Sequence, residues 1–272
     1  MIFNSALHPF VRKVWVMENT SGSSRTTGAL VGDGNFELAF IHGPGYKTIR
    51  DNITELFSSG IYLGGQLNAP LRLEILPETT IIFVKLSPWA MSVLTGFNLS
   101  DGLNETIPLK ELNLPLFNKL KDYHPLFQTD DLLSVINQEL DDAQHGAKRN
   151  WQLLQKCCSI LNSGYIDFKA AKDLYLKDIG LSARTIETSF SKGIGLTPQQ
   201  YTIGIRFRKF MDEYEFGTDE SSLTSLAYKH GYFDQAHLNR TFKQYWGFSP
   251  KKLQSESLFI TDERETFRYY TI

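Results

Sequence analysis

The stretch LSARTIETSFSKGIGLTPQQY, residues 181–201, is followed by a variant of itself, FDQAHLNRTFKQYWGFSPKKL, residues 233–253. Shifting the second copy back by 52 positions puts Phe242 on Phe190, Gly247 on Gly195 and Pro250 on Pro198. Leu238 then falls on Ile186, Phe248 on Leu196 and Ser249 on Thr197. Few positions are identical, but each pair has the same structural part to play. Internal repetition at a fixed offset sets the architecture before any single element does.

Each copy carries its own helix signals. Ser182 and Asp234 are N-cap residues, and apolar residues recur behind them at helical spacing: Ile186, Phe190 and Ile194, then Leu238 and Phe242. Gly195 and Gly247 stand where a helix ends in the left-handed conformation. Thr197-Pro198 and Ser249-Pro250 restart a helix with a hydroxyl cap and proline in the first turn. Upstream of each copy, residues 168–178 and 222–230 read as a short helix followed by Gly180 or Gly231. A short helix, a glycine-bearing turn and a second amphipathic helix make a helix-turn-helix. The sequence predicts two of them.

Between them, residues 197–216 read as one connecting helix carrying Arg206, Arg208 and Lys209. Roughly 20 residues at about 1.5 Å each make a rod of about 30 Å. One turn of B-DNA is about 34 Å, so such a rod suits two helices entering successive major grooves. Charge agrees. Residues 1–147 hold 10 Lys+Arg against 16 Asp+Glu, a net of −6; residues 148–253 hold 16 against 10, a net of +6. That asymmetry is expected when one half of a chain faces phosphate.

Residues 150–255 resemble the DNA-binding domain of AraC/XylS-type transcription regulators. The segment LAYKHGYFDQAHLNRTFKQYWGFSPKKL is similar to that family's signature, with Ala227, Gly231, Phe233, Leu238, Arg240, Phe242, Gly247 and Pro250 where expected. Two positions depart from it: Leu176 replaces a small residue and Phe210 an alanine, and both are expected to tilt the first reading head. The resemblance implies a sequence-specific regulator whose partner is double-stranded DNA. RNA polymerase, a small-molecule effector and a second copy of the chain are further partners it implies.

The outward face of each second helix supplies the candidate DNA-binding residues. In the first helix, residues 182–193, these are Arg184, Glu187 and Thr188; in the second, residues 234–245, they are Gln235, Ala236, His237, Asn239, Arg240 and Lys243. Arginine matches guanine O6 and N7 with two hydrogen bonds, asparagine or glutamine matches adenine, and alanine leaves room for a thymine methyl. Glu187 suits a cytosine amino group or the orientation of Arg184. Thr185, Thr241, Lys243, Lys251 and Lys252 are candidates for phosphate oxygens, which position without reading sequence. The plain alternative for each of these is a solvated helix face.

The N-terminal half reads as β. Residues 30–31 and 36–42 flank a Gly32-Asp33-Gly34 turn, and further strands are predicted at 46–53, 61–67, 71–75 and 79–86. Short strands with tight turns suggest a sandwich or barrel. Ser87-Pro88-Trp89 opens a helix to about residue 97, and helices follow at 114–123, 130–143 and 149–162. LVGDGNFELAF and KLSPWAM look similar to the β-rich domain that accompanies the DNA-binding module in one branch of the family. Leu132, Leu133, Ile136 and Leu140 form one stripe, which suits either a dimer surface or the domain's own core.

Catalytic and metal-binding signals are lacking. The histidines show no ligand spacing, and no nucleophile elbow, Walker or dinucleotide fingerprint occurs. Adjacent Cys157 and Cys158 cannot form a metal set and are poor disulfide partners, so buried thiols in a reducing cytoplasm are expected. No apolar run approaches 18 residues and nothing resembles a signal peptide, so a soluble cytoplasmic protein is expected.

The expected fold class is α+β: a β-rich sensor or dimerisation domain over residues 1–147 and an all-α domain over 148–255. The latter comprises helix-turn-helix one at about 166–195, the linker helix 197–216 and helix-turn-helix two at about 222–253; residues 256–272 are a tail. No cofactor is expected. The rival reading is a protein-interaction adaptor with a degenerate helix-turn-helix domain.

Overall fold

A computed structural model describes residues 8–26, 30–51, 53–122, 129–146, 150–162, 179–216, 222–250 and 270–271. The expected short helix at 168–178, Leu176, Lys251 and Lys252 lie outside these residues.

The N-terminal strands form two antiparallel sheets. The larger contains β1 (Val11–Asn19), β3 (Phe36–His42), β6 (Gly60–Gly64), β8 (Thr79–Leu86), β9 (Thr106–Pro108) and β10 (Tyr270–Thr271), in the order β10-β1-β8-β3-β6-β9. The smaller contains β2 (Arg25–Thr26), β4 (Tyr46–Arg50), β5 (Ile53–Phe57) and β7 (Arg72–Ile75), in the order β2-β7-β4-β5. Both faces of β3 and β8 are buried, which explains runs such as Ile81-Ile82-Phe83-Val84 with no polar alternation. Ala39, Ile41, Ile81 and Phe83 face the smaller sheet, with Tyr46, Leu73 and Ile75 across from them. Leu38, Phe40, Ile82 and Val84 turn the other way, into a core shared with helices. The tail returns to the sheet at its last residues, where Tyr270 pairs with Val16 and Thr271 with Trp15.

The structure corrects three sequence expectations for this half. Strand β1 was not foreseen, because its burial alternation is interrupted by a register shift between Val11 and Lys13. The expected strand at 46–53 is a hairpin, β4 and β5, turning at Asp51 with φ 47. Gly32-Asp33-Gly34 is no hairpin turn either. Its loop docks on the connecting helix, where a Cβ on Gly34 would meet the Tyr201 ring at 2.4 Å, so the glycine serves a close approach.

The helices are α1 (Met91–Leu94), α2 (Pro115–Leu120), α3 (Thr129–Gly146), α4 (Asn150–Asn162), α5 (Ala183–Ile194), α6 (Pro198–Phe216), α7 (Leu223–Lys229) and α8 (Gln235–Trp246). The expected helix from Trp89 to about residue 97 is shorter, forming only α1 (Met91–Leu94), and a 3-10 turn at Leu99–Gly102, which Asn98 caps, follows it. In α3, Leu132, Leu133, Ile136 and Leu140 are all fully buried, so that stripe closes the protein's own core and is not a dimer surface.

Candidate nucleic-acid interface

Both predicted second helices form as the sequence dictates. Ser182 Oγ accepts from the Thr185 amide at 3.2 Å to open α5, and Asp234 accepts from the His237 amide at 2.6 Å to open α8. Gly195 and Gly247 close them at φ 86 and 84, the left-handed region that favours glycine. The connector α6 starts with a reciprocal capping box: the Thr197 amide donates to Gln200 Oε1 at 2.9 Å and the Gln200 amide to Thr197 Oγ1 at 3.1 Å.

The two heads sit on different cores. Beneath α8 lies an aromatic cluster in which Phe207 meets Phe242 edge to face at 4.9 Å, with Tyr245 and Trp246 alongside. Phe210 belongs to this cluster, edge-on to Tyr232 and Phe242. Its bulk therefore fills the second head and does not tilt the first, as its departure from alanine had suggested. Beneath α5, by contrast, Ile186, Phe190 and Ile194 share a core with Leu154, Cys157, Cys158 and Leu161 of α4 and with Phe10, Trp89 and Leu99 of the β-rich half.

The nine candidate residues divide accordingly. On α8, Gln235, Ala236, Asn239, Arg240 and Lys243 are exposed in one row, and His237 is half-buried among them. Gln235 Nε2 donates to Thr224 Oγ1 at 3.3 Å, which ties the row to α7. On α5, Arg184 and Thr188 are exposed and Glu187 is half-buried. Glu187 and Thr188 line a cleft of about 740 Å³ whose opposite wall is Asn98 and Ser100 of the β-rich half. The first head thus borders a space shared with its own protein, whereas α8 presents its row to solvent.

Phosphate candidates fare unevenly. Thr185 is exposed, but Thr241 is buried and its hydroxyl donates to the His237 carbonyl, so it cannot reach a phosphate. The basic knot on α6 is largely spent inside the protein. Arg208 pairs with Asp212 at 2.8 Å, and Lys209 Nζ donates to the Asn162 carbonyl at 3.3 Å. Arg206 lies close enough to His237 to act on it: burial first, then Arg206 and Arg240, hold that imidazole below its ordinary range. His237 is therefore neutral at pH 7, with one ring nitrogen donating and the other accepting.

Phe233, which the sequence reading named only for its place in the family signature, stands directly before the N-cap of α8 and is 80% exposed.

Among the described residues there is no group of three or more His, Cys, Asp or Glu placed to hold a metal. No helix of the described residues is long and apolar enough to cross a membrane.

Two families match the chain: Helix-turn-helix domain over residues 175–256 and Domain of unknown function (DUF6597) over residues 4–108. The HTH-type transcriptional activator RhaS of Escherichia coli (strain SE11) is 29% identical over 82 residues, 30% of this chain and 29% of RhaS. RhaS of Escherichia coli (strain K12 / DH10B) matches to the same extent. The chain thus spans under a third of the length of the curated relatives it matches. ToxT from Vibrio cholerae aligns over 90% of this chain and 97% of its own at 12% identity and a TM-score of 0.46. A ToxT structure described as bound to unsaturated fatty acid aligns over 92% and 96% at 13% identity and a TM-score of 0.44. The family match, the RhaS similarity and the paired capped helices agree on the C-terminal module: it is a helix-turn-helix domain.

Proposed function

We propose that the chain is a sequence-specific DNA-binding transcription regulator of the AraC/XylS type, with α5 and α8 entering adjacent major grooves. The observation that carries this reading is the row Gln235, Ala236, Asn239, Arg240 and Lys243. These residues are exposed on a helix whose opposite side, Leu238 and Phe242, is fixed in a core. An outward row of amide and guanidinium groups on a rigid helix is what reading base edges requires. At 19 residues, α6 is about 28 Å long, close to one turn of B-DNA.

In this reading Arg184, Glu187, Thr188, Gln235, Ala236, His237, Asn239 and Arg240 face bases, and Thr185 and Lys243 face phosphates. Neutral His237 reads by hydrogen bonding, without charge. Asn98 and Ser100, across the cleft from Glu187 and Thr188, form the flank of the first head. The β-rich half then acts as the sensing or dimerising part, divided from the DNA-binding part near residues 145–148. A small-molecule effector, RNA polymerase and a second copy are its further partners, the compartment is the cytoplasm, and we assign the chain no catalysis.

The test is selection of bound duplexes from a random pool at physiological salt, followed by affinity against salt concentration. Enrichment of an asymmetric site with two blocks about ten base pairs apart supports two working heads. No enrichment, with duplex binding no stronger than that of an acidic control protein, rejects the regulator reading for the adaptor.

A further inference from the structure

Phe233 is the most exposed of the large hydrophobic residues described, at 80%. A hydrophobic staple would bury it against Leu238, five positions on, but Leu238 is 2% exposed and turned into the core. Phe233 instead stacks on the imidazole of His237, with ring centroids 6.0 Å apart and planes 15° from parallel. The buried Tyr232 meets the same imidazole edge-on at 5.1 Å, so His237 contacts both a buried tyrosine and an exposed phenylalanine.

These rings stand at the N-terminal end of α8, the end that reaches deepest into the groove in helix-turn-helix docking. Phe233 directly precedes the N-cap Asp234, whose extended backbone (φ −156, ψ 171) leaves it outside the helix, beside the first turn that carries Ala236 and His237. This end of α8 thus sets the exposed apolar surface of Phe233 and Ala236 next to the turn that leads to the Arg240 guanidinium. His237 carries no charge at neutral pH, so the apolar part is not interrupted. In the major groove, the apolar feature that distinguishes one base from the others is the thymine C5-methyl.

We propose that Phe233, backed by His237 and flanked by Ala236, reads a thymine methyl group and so sets specificity at one position of the site. The inference rests on the DNA-binding reading of α8. It explains why a large apolar side chain remains in water in the free protein: its burial partner is the base.

The test uses the full chain and the duplex enriched by the selection described above. Each thymine is replaced in turn by deoxyuridine, which removes the methyl and leaves the hydrogen-bonding edge unchanged. One replacement is expected to weaken binding about three- to fivefold, the worth of one buried methyl. In Phe233→Ser the same replacement has no effect, and in Phe233→Leu a partial one. The melting temperature of Phe233→Ser matches that of the parent, since the side chain is already in water. Selective binding with the same deoxyuridine response in parent and Phe233→Ser overturns this inference alone. A parent chain that enriches no duplex overturns the regulator reading and the inference with it.

Discussion

Arg240 and Lys243 lie one turn apart on α8, both exposed, yet their chemistry separates their roles. A guanidinium grips one base edge in two places, whereas an ammonium is a point charge suited to phosphate. Arg240→Ala is expected to lose about 1–3 kcal/mol of discrimination at one base position, measured on duplexes differing only there. Lys243→Ala is expected to weaken every duplex alike and to lower the slope of log affinity against log salt by about one. Cys157 and Cys158 make a contrasting case. Burial pushes the Cys157 thiol up to about 11 and Cys158 further still. Only the thiolate reacts, so the native protein is expected to stay inert to Ellman's reagent at pH 8, while the denatured chain titrates both. At this scale the sequence was legible wherever periodicity decides exposure, as for Arg184 or Asn239. It misled where one residue had two uses. Thr241 is a plausible phosphate ligand by type, but position on the helix turns it inward. Phe233 was legible only as a signature position, and its 80% exposure left no mark in the periodicity.

Among elements, the two C-caps offer a matched comparison. Gly195 and Gly247 share a left-handed backbone, so alanine at either is expected to destabilise by about 1–2 kcal/mol. At Gly247 the new Cβ meets only the Pro70 side chain, at 3.5 Å, whereas at Gly195 it meets the Leu99 carbonyl oxygen at 2.7 Å. Urea denaturation should therefore find Gly195→Ala clearly the worse of the two; equal losses would mean that α5 does not dock on the 3-10 turn. The second head carries a pH dependence. His230 packs edge-on to Phe210 and contacts Glu213 at 2.9 Å, and burial outweighs that carboxylate, holding the imidazole below its ordinary 6.5. The unfolded chain then takes up the proton first. Stability from this group is present above about pH 6.5 and is lost as pH falls through the depressed value. The denaturation midpoint is expected to drop between pH 7 and 5, and less steeply in His230→Gln. Capped helices and strand β8 could be read from sequence because their signals are local. Strand β1 could not, since its register shift breaks the alternation, and the 46–53 hairpin turns on a non-glycine residue at positive φ.

For the whole molecule, the consequence that matters is the sharing of cores. The repeat suggested two equivalent heads on one domain. In the fold, Ile186 and Phe190 pack into the core of the β-rich half, while the second head has its own core, joined by Val31. Long-range packing of this kind leaves no trace in periodicity, and so it was not legible. A fragment beginning at residue 148 strips α5 of partners such as Phe10, Trp89 and Leu99. Burial of each such side chain is worth about 1.5–3 kcal/mol, and several together rival the roughly 5–15 kcal/mol stability of a domain. Hydrogen exchange on that fragment is expected to find α5 amides unprotected and α8 amides still protected. That the outward face of α8 reads base sequence is tested most directly by repeating the random-pool selection with Arg240→Ala beside the parent. The expected result is a parent site in which a single guanine-containing position loses its preference in the variant, with every other position retained. An unchanged site in Arg240→Ala would contradict it.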